Sequence, residues 1–541
     1  MVQENKDIPN KFSLVLLIAI LILSEALIFH YATLKFGFYI DELLSFGHSN
    51  SSNGGFLFPV KFSGYLTDEN DIVYNNWIEP DVFWEYLTVQ EDEAFRYSEI
   101  INNLKDSVHP PLYYFFLHTV CSFFPETFSK WLGIIPNMVL FSVVLIILYK
   151  LSLVILKSRA KSLLVSAVYG FSIEAVNTTI FIRSYLLLTL ITLLFVHETI
   201  KLLIDLKPKA SRLIKVFLLA TLGLLTHYYF YIFLVIFATL VCVYLVLKNQ
   251  TKMLYTFAGI IIFTVLLSFL LSPNALRHLF ISTRGLESGI RALAAITALA
   301  GLTALILLVY RIIRKNKELP TVRETILKLS RNLQGKLGKS PTTELLFMQL
   351  FLTTILTALL IKAVAPAMDV HSDRYYFNLI PLFCLTGTIL IFSLISKYKP
   401  GKKTPVLISS VLLLISFSSN LFLNSAYVFP NIENQELLNS EIQDSICLFV
   451  TDSDGNIHNF SDVFFTSEKV FATRAISNTS IKNAFSELEG AQKVTVIIED
   501  SISQIPDELS LLEDQIGYPL QYLYTARHGP FLYRIYSLKD S

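Results

Sequence analysis

Long apolar segments recur along this sequence and constrain its fold more than any other feature. A helix of about 20 apolar residues spans a bilayer core of roughly 30 Å. Runs of that length lie near residues 12–34, 131–156, 161–180, 183–203, 253–273, 292–312, 344–364, 378–396 and 405–424. The longer run 215–247 divides into two spans at His227-Tyr228-Tyr229. The sequence therefore predicts a polytopic α-helical membrane protein with about 11 transmembrane helices.

The overall composition agrees with an integral membrane protein. Of the 541 residues, 53% are hydrophobic and 16% are charged, whereas soluble domains carry about 25% charged residues. The formal net charge of +1 removes any argument for a nucleic-acid partner from bulk charge. The four cysteines are too few for a disulfide scaffold.

Lysine and arginine predict the orientation, because cytoplasmic loops are enriched in them. The basic stretches are 157–161, 201–215, 248–252, 311–339 and 397–403. All of them face the cytoplasm if the amino terminus is cytoplasmic and there are 11 spans. The apolar run 110–124 has only about 15 residues and would invert this order as a span. We therefore expect 109–124 to form a juxtamembrane helix on the outer face.

Two parts of the chain follow from this orientation. Residues 1–424 form the transmembrane domain, with 36–108 as its first extracytoplasmic loop. Residues 425–541 are expected to form a small soluble extracytoplasmic α/β domain. Its predicted strands are 446–450, 494–499, 521–525 and 531–536, and the last two resemble a hairpin.

The candidate site residues lie at the predicted outer ends of the spans. Asp41-Glu42 follows the first span, and one acid of a partly desolvated pair can act as a base while the other positions it. His109 precedes Pro110-Pro111-Leu112-Tyr113-Tyr114 and could donate to an anion. A solvated acid pair and a capping histidine are the structural alternatives.

Two arginines complete the set of outer polar residues. Arg183 follows Glu174 on the turn between the third and fourth spans, and Arg374 precedes Tyr375 between the ninth and tenth. Arginine at an interface can simply extend its charge to water. Acids, a histidine and two arginines gathered at one membrane surface nevertheless predict a site for a phosphorylated amphiphile.

The order of these motifs resembles the GT-C superfamily of membrane glycosyltransferases, in the branch of the protein O-mannosyltransferases and lipid A aminoarabinose transferases. The resemblance covers about residues 12–400. It implies that Asp41 is the catalytic base with Glu42 beside it, and that Arg183 and Arg374 lie near a lipid phosphate, for which His109 is a further candidate. Leu188 stands where the mannosyltransferases carry an acid, and Glu174 is the substitute we consider.

The resemblance implies inverting transfer of a sugar from a polyprenyl-phosphate-linked donor to an acceptor on the extracytoplasmic face. The acceptor stays open between a protein, a glycan and a lipid, and Tyr113, His227 and Tyr375 are further candidates to line its cavity with Glu174. No cofactor is required, although a divalent metal is an alternative. The expected location is a bacterial plasma membrane.

Other functions remain open at this point. An O-antigen polymerase or ligase would use a lipid-diphosphate donor, and a lipid-linked-sugar transporter or flippase would move its substrate without chemistry. A non-catalytic membrane scaffold that presents the tail domain is the third alternative.

Overall fold

The structure is a computed structural model. It describes residues 8–57, 75–105, 107, 109–205, 209–272, 342–364, 372–396, 404–422, 426–428, 432–451, 456–473, 488, 493–502, 509–510, 512–514, 519–528 and 531–538. The predicted span 292–312 and the basic stretches 311–339 and 397–403 lie outside these residues.

Helices make up most of the described chain. In order they are α1 (Asn10–Leu34), α2 (Ile40–Asn50), α3 (Pro80–Leu87), α4 (Ser98–Asn103), α5 (Leu112–Cys121), α6 (Trp131–Leu156), α7 (Arg159–Gly170), α8 (Ile173–Ile180), α9 (Tyr185–Asp205), α10 (Ala210–Thr226), α11 (Tyr229–Leu247), α12 (Thr251–Leu271), α13 (Thr342–Val364), α14 (Ile380–Ser396), α15 (Thr404–Phe422), α16 (Ile432–Ile442) and α17 (Ser461–Phe464). Short 3₁₀ helices cover Glu91–Glu93, Ser372–Leu379 and Asn456–Phe460.

Within the described ranges, seven helical segments are long and apolar enough to cross a membrane. They are α1, α6, α9, α11, α12, residues 344–363 of α13, and residues 372–395, which join the second 3₁₀ helix to α14. These segments give a multi-pass helical membrane protein. The predicted spans that fall within the described residues are helical, although 161–180 consists of two helices, and the total of about 11 spans remains a prediction.

The predicted span 161–180 is wrong as a single straight helix. It consists of α7 and α8, which meet at an angle of 60°. Ser172 lies at the bend and caps α8, since its hydroxyl accepts from the backbone N–H of Ala175 at 3.2 Å. A serine side chain competes for backbone groups in this way and favours helix starts over helix interiors. The bend directs the end of α8 toward the loop that carries Arg183.

Two shorter helices agree with the sequence-based boundaries. α10 has 17 residues and ends at His227, whose backbone is extended, before α11 begins at Tyr229. The division of the run 215–247 is therefore confirmed. α5 has ten residues, which reach about 15 Å at 1.5 Å per residue and cover only half of a bilayer core.

The carboxyl-terminal part contains a sheet of six strands in the order β1-β3-β2-β4-β6-β5. The strands are β1 (Asn76–Ile78), β2 (Ile446–Val450), β3 (Lys469–Thr473), β4 (Val494–Glu499), β5 (Leu520–His528) and β6 (Phe531–Leu538). β3, β2 and β4 are parallel neighbours, and β2 and β4 are buried along their whole length. Fully apolar strands such as β2 are typical of a parallel sheet that is covered on both faces.

The sheet is not made by the tail alone, because β1 belongs to the first loop. β1 pairs antiparallel with β3, and Trp77 of β1 packs on Phe471 with ring centroids 5.3 Å apart. α3 of the same loop packs Phe83 against Phe464 of α17 at 5.4 Å. The first loop and the tail therefore share one hydrophobic core. The paired strands β1 and β3 lie almost 400 residues apart in the sequence.

Candidate functional site

The candidate site lies at the end of the helical bundle where α1 ends. Three short loop or helix-start segments meet there: the first turn of α2, the connection between α8 and α9, and the 3₁₀ helix before α14. They bring Asp41, Arg183 and Arg374 together from positions up to 333 residues apart in the sequence. The site is therefore assembled by the packing of the bundle, and local sequence supplies only its individual members.

Asp41 forms an ion pair with Arg374. Its Oδ2 lies 3.1 Å from Arg374 Nη2, and the two side chains are 20% and 7% exposed. Asp41 stands in the first turn of α2, where the helix dipole favours a negative charge. The guanidinium of Arg374 also lies over the rings of Tyr39 and Tyr375, at 5.5 and 5.0 Å from their centroids. The ion pair is thus largely shielded from water, and the sequence did not predict that Asp41 would pair with this arginine.

Arg183 is buried and connects the segments around the site. Its Nη1 donates to the backbone oxygen of Asp41 and to Ser45 Oγ, both at 3.0 Å, and to Tyr114 OH at 3.4 Å. Its Nη2 lies 3.1 Å from His109 Nε2. Burial disfavours the guanidinium charge, yet the neighbouring Tyr114 and Asp41 raise the pKa of Arg183 above its ordinary value. Arg183 therefore carries a permanent positive charge in the site.

His109 has a different role from the one expected. Arginine can only donate, so His109 Nε2 must accept the hydrogen bond from Arg183. A ring nitrogen that accepts is unprotonated, which leaves His109 neutral in this arrangement. Its ring supports Arg183 through Nε2 and can donate only through Nδ1, whereas the sequence-based expectation was a direct donor to an anion.

Glu42 does not join Asp41 at the site, which corrects the expectation of an acid pair. Its Oε2 accepts from Lys35 Nζ and from the backbone N–H of Tyr39, and its Oε1 accepts from the N–H of Ile182, all at 2.8 Å. Glu42 and Lys35 are both fully buried. An ion pair saturated in this way fixes the end of α1 to the start of α2 and to the loop before Arg183. Glu42 thus positions the segments that carry the site.

Aromatic rings form one wall next to the charged groups. His109 stacks on Tyr228 with centroids 6.3 Å apart, and Tyr228 stacks on His227 at 4.5 Å. Tyr229 meets Tyr375 edge-on at 5.1 Å. The predicted cavity residues His227 and Tyr375 therefore belong to the same aromatic surface as His109. Tyrosine rings combine an apolar face with a polar edge, which suits contact with an amphiphilic ligand.

Two other predicted residues are placed differently. Tyr113 is fully buried on α5, one residue from the Tyr114 that Arg183 contacts, and its ring packs against Tyr114 at 5.8 Å. It belongs to the supporting core. Glu174 lies on α8 with Tyr169 and Cys384 as its electrostatic neighbours. These neighbours do not include Asp41. The structure therefore gives no support for Glu174 as a substitute for the acid that the mannosyltransferases carry at the position of Leu188.

Tyr427 contacts Asp373, the residue before Arg374, and sequence reasoning missed it. Its OH donates to Asp373 Oδ1 at 2.6 Å, and its backbone N–H donates to Asn177 Oδ1 at 2.9 Å. Its carbonyl oxygen lies 3.4 Å from Lys35 Nζ. The tyrosine lies between α15 and α16, in a segment whose sequence carries no motif that would have marked it.

Two ionisable groups near the site have strongly shifted pKa values. Burial, together with the charge of Arg183, lowers the pKa of His48 to about 3, so His48 is neutral and adds no charge beside Tyr114. Burial, together with the charge of Glu42, raises the pKa of Asp462 in α17 to about 7. Asp462 thus links the tail electrostatically to the buried pair of Lys35 and Glu42.

A metal centre finds no ligand set among the residues that the structure describes. No group of three or more histidine, cysteine, aspartate and glutamate side chains there is close enough to hold an ion. Two ligands without a third are a poor metal site. The metal that we considered as an alternative therefore gains no candidate ligands from this part of the chain.

Comparison with known proteins gives structural matches only. No protein-family model matches the chain, and no curated protein matches it. An Archaeoglobus fulgidus oligosaccharyltransferase complex with zinc and sulfate is 11% identical with a TM-score of 0.41, over 79% of this chain and 65% of that enzyme, just under two thirds of its length.

Two further solved structures are similar. AglB from Archaeoglobus fulgidus, with an inhibitory peptide and a dolichol-phosphate, is 10% identical with a TM-score of 0.46, over 96% of this chain and 74% of AglB. ArnT from Cupriavidus metallidurans, bound to undecaprenyl phosphate, is 10% identical with a TM-score of 0.40, over 97% and 98% of the two chains. These proteins are GT-C glycosyltransferases, the superfamily that the sequence motifs resemble.

Proposed function

We propose that this protein transfers a sugar from a polyprenyl-phosphate-linked donor to an acceptor on the extracytoplasmic face of the membrane, with inversion at the anomeric carbon. The observation that carries the proposal is the cluster of Asp41, Arg183 and Arg374 at one end of an apolar helical bundle. It offers a carboxylate and two cations within one shielded site, next to an aromatic wall.

The charge of the cluster favours a monophosphate donor. One carboxylate and two guanidinium groups leave a single positive charge, since His109 and His48 are neutral. The single negative charge of a sugar phosphodiester balances it, whereas a diphosphate would leave an excess negative charge in a poorly solvated site. A monophosphate donor therefore matches these residues better than the lipid diphosphate of a polymerase or ligase.

Each group has a defined part in the proposed reaction. The acceptor oxygen or nitrogen attacks the anomeric carbon, its proton moves to Asp41, and the bond between that carbon and the phosphate oxygen breaks. The leaving polyprenyl phosphate gains negative charge, which Arg183 and Arg374 stabilise through charge-assisted hydrogen bonds. The leaving group is already a stable anion, so no strong general acid is needed.

The ion pair between Asp41 and Arg374 also has a consequence for the reaction. A donor phosphate that binds Arg374 competes with Asp41 for the same guanidinium. The carboxylate then becomes available to the acceptor only once the donor is in place. This order of events would protect the donor from reaction before its phosphate is held.

The test is a transfer assay on the purified full-length protein in liposomes. Undecaprenyl phosphate carrying a labelled hexose or pentose is the donor, and membrane extract supplies the acceptor. We expect wild type to release label from the lipid and Asp41→Asn to lose roughly 10²- to 10⁴-fold in rate, as removal of a general base does. Asp92→Asn, whose side chain is 85% exposed, is the matched control and should keep wild-type transfer.

The outcomes separate the alternatives. Transfer by Asp41→Asn at the wild-type rate would exclude Asp41 as the base. Label that stays on the lipid but changes its leaflet would identify a flippase, and label that moves only from a diphosphate donor would identify a polymerase or ligase.

A further inference from the structure

A second cavity lies at the opposite end of the bundle from the proposed active site. It is a groove of about 600 Å³, within the range of roughly 300–1,000 Å³ typical of ligand sites. Its walls come from the connection between α6 and α7, from α14 and α15, and from Ile8 just before α1. Arg159 donates to the backbone oxygen of Ile8 at 3.4 Å, which holds the segment before α1 at the groove.

The groove has a basic end and an apolar end. Lys157 and Lys161 are exposed at the ends of α6 and α7, where the basic loop 157–161 meets the solvent side. Leu164, Phe392 and Leu413 lie about one turn or more farther along their helices, toward the middle of the bundle. The nitrogen of Lys161 stands 5.2 Å from the centroid of the Phe392 ring, so the positive charge and the apolar wall adjoin in the groove.

The charges of the groove select its ligand. The described lining of the groove includes two lysines and the hydroxyl of Ser409. It includes no acidic side chain. Basic pockets between transmembrane helices bind anionic lipid headgroups, and their acyl chains need an apolar wall below. We propose that this groove binds one anionic glycerophospholipid, with its phosphate between Lys157 and Lys161 and its chains along Phe392 and Leu413. The predicted orientation places that lipid in the cytoplasmic leaflet.

The test uses the full-length protein in a neutral detergent, titrated with phosphatidylglycerol or with phosphatidylcholine and followed by native mass spectrometry. We expect one phosphatidylglycerol to bind more tightly than phosphatidylcholine. A lysine near a membrane anion contributes roughly fivefold in affinity, so K157A/K161A should weaken phosphatidylglycerol binding about 30-fold. The charge-conserving K157R/K161R should retain the binding.

Lys215 and Lys252 provide the matched control. Both are exposed near the starts of α10 and α12, and neither lines the groove. K215A/K252A removes the same charge and should stay within about twofold of wild type. The proposal is overturned if K157A/K161A binds phosphatidylglycerol like wild type, if the control pair loses as much, or if wild type does not distinguish the two lipids. The assay does not depend on transferase activity, so its failure leaves the proposed reaction untouched.

Discussion

The replacement of Arg183 by lysine tests how the site holds negative charge. Arg183 directs Nη1 at the Asp41 carbonyl and Ser45 Oγ, both at 3.0 Å, and Nη2 at His109 at 3.1 Å. Lysine keeps the positive charge but has a single nitrogen. It therefore cannot replace both Nη1 and Nη2 of the guanidinium. A hydrogen bond to a charged group contributes roughly 1.5–3 kcal/mol. Loss of one side should therefore lower kcat/KM by roughly 10- to 150-fold.

The assay compares initial rates of label release over a range of donor concentrations. If Arg183 stabilises charge that grows as the sugar–phosphate bond breaks, kcat falls while KM changes little. The matched control is Arg96→Lys, whose side chain is 52% exposed and lies 3.8 Å from Asp92; we expect it to stay within about twofold of wild type, because exposed pairs contribute little. Wild-type kcat/KM in Arg183→Lys, with a monodisperse protein, would show that the two-sided contact of Arg183 does not stabilise the leaving phosphate.

Three further predictions concern the supports of the site. Tyr427→Phe removes the 2.6 Å hydrogen bond to Asp373, the residue before Arg374, so we expect kcat/KM for the donor to fall about tenfold in the same transfer assay, because Arg374 is less well positioned; an unchanged kcat/KM would contradict this role. Glu42→Gln removes the negative charge that balances buried Lys35 and should destabilise the protein by about 3–5 kcal/mol, seen as a lower thermal midpoint that Lys35→Met added to Glu42→Gln partly restores; an unchanged midpoint in Glu42→Gln would argue against the pair. The folded protein holds a proton on Asp462 up to about pH 7, which the unfolded chain releases near pH 4. The stability that this proton contributes below pH 4 is thus lost as the pH rises to 7. The thermal midpoint of Asp462→Asn should exceed that of wild type at pH 8 and match it near pH 4. A difference in thermal midpoint that stays constant across this range would contradict a raised pKa.

The sequence predicted most of the helical frame, because spanning helices depend on local apolar length. The division of the run 215–247 came from the polar patch His227-Tyr228-Tyr229, and the structure breaks the helix at His227, whose backbone is extended. The strands β2 and β4 were predicted with their correct ends, since continuous apolar runs bounded by turns are local features. The bend between α7 and α8 was missed because one serine inside an apolar run is a weak boundary.

The site was predictable in its members and less so in their roles. Asp41, His109, Arg183 and Arg374 were chosen from motifs at the outer span ends, and they do meet. Adjacent acids look equivalent in the sequence. On α2, however, the side chain of Asp41 reaches Arg374. The side chain of Glu42 instead accepts hydrogen bonds from Lys35, Tyr39 and Ile182. Which partner a buried carboxylate finds depends on tertiary packing.

The same limit explains the contacts made by the tail. Nothing in the local sequence of Tyr427 indicates that its hydroxyl reaches Asp373, 54 positions earlier. β1 is only three residues long and joins the sheet through β3, almost 400 positions later. Pairings across such distances are set by topology, and short segments carry too little pattern to reveal them.

We propose that Arg183 and Arg374 hold the phosphate of a lipid-linked donor beside the Asp41 carboxylate. The most direct measurement is an experimental structure of the full-length protein with bound undecaprenyl phosphate. We expect the phosphate within hydrogen-bond distance of both guanidinium groups, with the Asp41–Arg374 contact lengthened from 3.1 Å. A phosphate bound elsewhere, with Arg183 and Arg374 still in their present contacts, would contradict it.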